Sequence, residues 1–239
     1  MRKIFMGYSQ KECSIFQTGT SASLLAGVYE GELTVDELKR QGDFGLGTFD
    51  QVDGELIMLD NVVYRAAANG LITQAESTRR MPFAVTTFFD PQQTLELPHL
   101  SYDELSIYLD RHLSEKNYIY AIKVTGYFDS VLARSLNRCE PPYRPLMDIL
   151  PTIQTCFECH DSKGTMIGFR FPAHLSSVNF SSDHFHYIDH EKKMGGHVFE
   201  FRARDVIIEW RLYRQLINHL PRTDCFSENA FAARSEQIT

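Results

Sequence analysis

Asp183-His184-Phe185-His186-Tyr187-Ile188 and, after a polar turn at His190-Glu191-Lys192-Lys193, Gly195-Gly196-His197-Val198-Phe199-Glu200-Phe201 form the stretch that decides how this chain is read. Side chains alternate across a strand, so His184 and His186 lie on one face and Phe185 on the other. A turn centred on Glu191-Lys192 sets His186 directly opposite His197, and directly opposed residues of an antiparallel pair share a face. Three imidazoles therefore converge from two paired strands. An open, catalytic zinc-type site uses such a set and leaves a further position for an oxygen donor. A lone histidine in a sheet is ordinarily solvated or hydrogen-bonded in the core; a His-x-His pair with a third His in hairpin register is harder to dismiss.

The rest of the chain reads mostly as strand. Residues 56–59 and 62–67 flank Asp60-Asn61, a hairpin signal, and residues 82–89 are rich in aromatic and β-branched types. Residues 118–135 alternate and are expected to turn near Gly126. Residues 153–159 and 165–171 flank Asp161-Ser162-Lys163-Gly164, a second hairpin signal. Two helices announce themselves by capping boxes: Thr34 with Glu37, ending at Gly42, and Ser101 with Glu104, running to about Leu113 with Leu105, Tyr108, Leu109 and His112 along one stripe. Short strands, tight turns and few helices imply an α+β fold of mainly antiparallel or mixed sheets, because parallel βαβ units would need long amphipathic helices between strands. No repeat is visible. The proline-rich stretch 139–151 is the expected junction between two β-rich lobes of one domain.

A chain of 239 residues with 43% hydrophobic content can bury a full core. The net charge of -7 and the lack of any Lys/Arg-rich run argue against nucleic acid as a partner and for a small molecule. No stretch approaches the roughly 20 apolar residues that span a bilayer. Arg2 and Lys3 are followed by no sustained apolar segment, so no membrane partner and a cytoplasmic location are expected. Five irregularly spaced cysteines suit reduced thiols.

Three other motifs suggest different chemistry. Cys156-Phe157-Glu158-Cys159-His160 matches the pattern of covalent haem attachment, but that needs an exported chain, and residues three apart on a strand face opposite ways. Asp43-Phe44-Gly45 matches a kinase tripeptide without the lysine strand or catalytic loop that would accompany it. His184-x-His186 followed by Glu191 is similar to the first metal motif of cupin barrels, which makes a cupin-like metal oxygenase or isomerase the alternative function. Glu191, however, adjoins Lys192, Lys193 and a Gly pair, as a solvated turn would, and Val198 stands where that motif has glycine. A non-catalytic domain with a structural metal is the third possibility.

Two stretches together resemble the α-acetolactate decarboxylase family. One is Gly42-Asp43-Phe44-Gly45-Leu46-Gly47-Thr48-Phe49, continuing to Asp53-Gly54-Glu55-Leu56; the other is His184-Phe185-His186-Tyr187 with Gly195-Gly196-His197-Val198. Supporting matches at 25–33, 82–87, Ala133-Arg134-Ser135, Pro142-Tyr143, 164–168 and 220–226 run in family order, so a single domain over 15–239 is expected. Ser181-Ser182-Asp183 departs from the Pro-Gly usual before the paired histidines. With the strand reading, the resemblance implies two β-rich lobes, half-open and barrel-like, in a homodimer. It also implies Zn2+ on His184, His186 and His197, with a tail glutamate, Glu236 or less favourably Glu228, close to the metal.

The implied reaction is decarboxylation of 2-acetolactate to (R)-acetoin and CO2 through a metal-stabilised enediolate. Loss of CO2 from a 3-keto acid drives an electron pair toward the ketone, so a cation at that oxygen is the main requirement. Arg134 suits the substrate carboxylate or hydroxyl through its planar fork. Glu55, matching the family's active-site glutamate, is the candidate for proton handling. Thr48 is expected to shape the pocket. Without the resemblance, Glu55 and Arg134 would read as ordinary solvated charges.

Overall fold

The computed structural model describes residues 14–113 and 115–229. One mixed sheet contains β1 (Ile15–Thr18), β2 (Phe44–Thr48), β3 (Glu55–Leu59), β4 (Val62–Ala66), β5 (Ile72–Gln74), β6 (Phe83–Thr87) and β12 (Leu216–His219), in the order β12-β1-β6-β2-β3-β4-β5. β12 lies parallel to β1; the other pairings are antiparallel. The second sheet contains β7 (Gln93–Ser101), β8 (Ile119–Leu136), β9 (Gln154–Phe171), β10 (Ser182–Asp189) and β11 (Gly195–Tyr213), in the order β10-β9-β8-β11-β7. β10 also pairs with β11 at residues 186–188 only, so four of its strands curl into a partly closed ring. The helices are α1 (Ser21–Leu25), α2 (Val35–Leu38), α3 (Tyr102–His112), α4 (Leu146–Ile153) and α5 (Asp224–Glu228).

Local chemistry accounts for the elements that were legible. Thr34 and Ser101 each accept the N3 backbone N–H while Glu37 and Glu104 reach back, and these boxes open α2 and α3. Leu105 and Leu109 carry α3 onto the ring. Asp60 and Asn61 take φ of 51° and 62°, as a two-residue hairpin turn requires, and join β3 to β4.

The turns expected near Gly126 and at Asp161–Gly164 are not present. β8 and β9 run unbroken for 18 residues each and pair along their whole lengths. Gly126 lies beside the bulge of β11 at Arg204–Ile207, and a Cβ there would come within 3.1–3.3 Å of that backbone. Asp161, at φ 47°, accompanies a change of phase: Met166 and Cys159, seven apart, both face the ring interior, as do Phe128 and Val131 on β8. Turn-forming residues here flip the face of a strand without ending it. The stretch 139–151 also differs from expectation, since it links β8 to β9 within one sheet and contributes most of α4. The chain passes from the first sheet to the second at 88–92 and returns at 214–215.

The ring encloses a core that includes Phe128, Met166, Phe185, Tyr187 and Phe201. A second core, with Phe44, Ile57, Val85, Ile167, Phe169 and Ile188, fills the space between the sheets. Phe185 and Tyr187 thus point into the ring, and His184, His186 and Ile188 point toward β3.

Candidate metal centre

The hairpin register is the one that the turn implied: His186 faces His197 across β10 and β11. Both carboxylate oxygens of Asp189 accept backbone N–H groups, from Lys193 at 2.8 Å and Met194 at 3.0 Å, and these bonds fix the turn. The three imidazoles meet with potential ligand nitrogens all within 4.8 Å of one another. His184 Nε2 and His197 Nδ1 are 3.1 Å apart. His186 Nδ1 lies 2.8 Å from the Leu56 carbonyl and donates to it, which fixes the tautomer and leaves Nε2 as a lone pair. That Nε2, like His184 Nδ1, is buried without a hydrogen-bond partner.

Burial and neighbouring charge keep these rings neutral. The His184 pKa is pushed down to about 3 by burial first and the Arg134 charge second. His186 and His197 are held well below the usual range, again chiefly by burial. Neutral imidazoles with unsatisfied buried nitrogens are costly unless a cation takes the lone pairs, so the donor set fits a divalent ion.

Glu55 and Arg134 arrive from different sheets. Glu55 shares the face of Ile57 on β3, and Arg134 pairs with His197 across β8 and β11. Arg134 Nη1 lies 3.2 Å from Glu55 Oε1, and Glu55 Oε2 lies 3.5 Å from His186 Nε2. Burial pushes the Glu55 pKa up to about 7 against the opposing pull of Arg134. Thr48 is buried, and its hydroxyl donates to the Gly54 carbonyl at 2.8 Å, holding the turn that leads into Glu55.

A cavity of about 250 Å³ opens over this group, with Leu24 and Leu25 of α1, Leu146, Met147 and Leu150 of α4, and Phe180 forming much of its apolar wall. A roomier groove near the start of α3 is flanked by exposed carboxylates such as Asp103, Asp129 and Glu200 and, among the described residues, gathers no comparable ligand set. Glu236 lies outside the described residues. Glu228, at the end of α5, is exposed and is not among the groups gathered with the histidines. Glu191 is an exposed turn residue paired with Lys193, so it offers no cupin-like ligand. Cys156 is exposed and Cys159 buried, as opposite faces demand.

Three features escaped the sequence reading. The Leu56 carbonyl has no side-chain signature. The apolar wall of α4 lies in a stretch read as a junction. Asp183 is locked by Arg170 through two bonds of 2.6 Å and by Ser106 at 2.9 Å, which ties the start of β10 to β9 and α3; it stood out only as a departure from the family pattern.

A pocket over three converging neutral imidazoles, with a buried acid and a guanidinium at its edge, defines a class: an enzyme site suited to a divalent cation. The family model for alpha-acetolactate decarboxylase matches residues 15–233. An alpha-acetolactate decarboxylase from Methylococcus capsulatus is 33% identical over 98% of this chain and 90% of its own length, and one from Bacillus subtilis is 34% identical over 92% and 87%. A crystal structure of acetolactate decarboxylase from Bacillus subtilis subspecies spizizenii superposes with a TM-score of 0.89 at 33% identity, covering 92% of this chain and 95% of that one. The chain belongs to the alpha-acetolactate decarboxylase family, a family of carboxy-lyases.

Proposed function

We propose that this protein converts 2-acetolactate to (R)-acetoin and CO2, with Zn2+ held by His184, His186 and His197. The observation that carries the reading is the meeting of three neutral imidazoles, two with unpartnered buried nitrogens, beside the Glu55–Arg134 pair. A divalent ion bound there supplies the positive charge toward which the electron pair released with CO2 can move.

The chain's own groups supply the rest. Arg134 binds the substrate carboxylate or hydroxyl through the part of its fork not engaged with Glu55. Glu55, with its pKa near neutrality, delivers a proton to the carbon that has lost CO2, and one proton per turnover balances the conversion of a carboxylate to a neutral ketol. Both groups stand on strands, where packing holds them in place. The apolar wall excludes water and favours departure of neutral CO2 from a charged carboxylate. A fourth ligand from Glu236, a homodimeric state and a cytoplasmic location belong to the same proposal; no helix among the described residues is long and apolar enough to cross a membrane.

The test is to strip the protein with a chelator, titrate zinc back and follow acetoin release under nitrogen. Activity is expected to return in step with one zinc per chain and without oxygen. A stripped protein of full activity, or turnover that needs oxygen and iron, would overturn the reading in favour of other metal chemistry.

A further inference from the structure

The pocket has two chemically different sides. His184, His186, His197, Glu55 and Arg134 form one side, and Arg134 is the sole cation among the described residues that line the cavity. Among the described residues one substrate carboxylate can be matched there, and a second anionic group has no partner. The opposite side is hydrocarbon, contributed largely by α1 and α4, which pack against each other. This wall favours an apolar substituent on the part of the substrate that points away from the imidazoles, since a polar one would lose its water there without compensation from it.

The backbone behind α4 is pinned. Asn137 N–H donates to the Ile153 carbonyl at 2.7 Å, Cys139 N–H to Gln51 at 2.8 Å, and the Tyr29 hydroxyl to the Arg144 carbonyl at 2.8 Å. Gln51 and Val52, at φ of 63° and 52°, form a left-handed turn that non-glycine residues adopt only when their surroundings hold them there. With the frame fixed, side chains decide the reach of the cavity. Leu146 is buried in the core below, but Met147 is 66% exposed at the mouth and Leu150 is half-buried between. The space of about 250 Å³ lies close to the roughly 300 Å³ at which pockets for drug-sized molecules begin.

We propose that Met147 and Leu150 of α4 are the specificity-determining residues of this site, setting how long an alkyl substituent a 2-hydroxy-3-oxo acid can carry and still be decarboxylated. This inference rests on the reaction proposed above. Hydrophobic discrimination of this kind is worth about 10- to 200-fold per methylene-sized change, so the effect is measurable without loss of the reaction itself.

The experiment compares kcat/KM for substrates bearing methyl, ethyl, propyl and butyl groups in the wild type, Met147→Ala, Met147→Trp and Leu150→Phe. Zinc content and thermal midpoint are measured on every sample. Narrowing by Met147→Trp or Leu150→Phe is expected to lower the butyl-to-methyl ratio of kcat/KM at least tenfold, and Met147→Ala to raise it several-fold, with zinc content unchanged. Met147 is exposed, so its variants remain informative if Leu150→Phe fails to fold. Ratios that stay within twofold of wild type in the folded variants would overturn the inference. An inactive wild type on the methyl substrate would instead overturn the proposed reaction, which keeps the two failures distinct.

Discussion

The two faces of the β10–β11 hairpin differ in what they do with their polar atoms. On the ring side, Phe185 and Tyr187 are buried over Gly168 and Gly164, and the Tyr187 hydroxyl pairs with Ser162 at 2.7 Å. On the other side, His184 Nδ1 and His186 Nε2 are buried and unpartnered. One face is complete as it stands; the other is complete only with a ligand. A strand with a period of two can do both at once, because neighbouring residues never share a face. The stability of the fold and the chemistry of the site are therefore separable by mutation at adjacent positions.

The largest effect is expected on the imidazole face. His186→Ala should abolish stoichiometric zinc binding and lower turnover by about 10³-fold or more, read by metal analysis and acetoin release, while the metal-free protein still folds. Retained zinc and activity would break the comparison. Next come Glu55→Gln and Arg134→Lys, each expected to lower kcat by about 10²- to 10³-fold with zinc content unchanged. Parallel loss of zinc would mean that the pair builds the metal site and does not act on the substrate.

On the ring face the expected cost lies in stability. Phe185→Ala should destabilise by about 3–5 kcal/mol in denaturant titration. Gly168→Ala, whose Cβ would lie 2.1 Å from the Phe185 ring, should cost about 1–3 kcal/mol. Folded fractions of both should keep the zinc stoichiometry of the parent. Loss of zinc at small loss of stability would show that the faces are coupled.

The smallest effect concerns pH in the metal-stripped protein. Glu55 holds its proton more tightly folded than unfolded, with a pKa raised to about 7 from 4.5. Its contribution is therefore fully present below pH 4.5, declines as pH rises to about 7, and stays level above. Glu55→Gln removes that decline, so the variant should gain about 1–3 kcal/mol on the wild type between pH 4.5 and 8, less whatever Arg134 loses with its partner. A stability difference independent of pH would show that Glu55 is ionised throughout this range.

The legibility of these features in the sequence followed from the distance over which each is specified. The histidine hairpin could be read because alternation and one turn place all three rings within 14 residues. The capping boxes and Asp60-Asn61 are equally local. Glu55 and Arg134 meet from 79 positions apart, on different sheets, and no periodicity couples them; only the resemblance pointed to both. The continuity of β8 and β9 is masked because Gly126 and Asp161–Gly164 carry turn chemistry, which the fold uses for a bulge contact and a change of face. α4 was hidden by Pro145, which precedes it, and Pro151, which lies within it. Its role as a pocket wall appears only once α1, far earlier in the chain, is packed beside it.

X-ray absorption at the zinc edge of the loaded protein tests the central claim most directly, because it counts the ligands of the ion itself. Three imidazole nitrogens, with the remaining scatterers oxygen and no sulfur, are expected, and His197→Ala should reduce or abolish that signal. Sulfur in the shell, or fewer than two imidazoles in the wild type, would contradict the account.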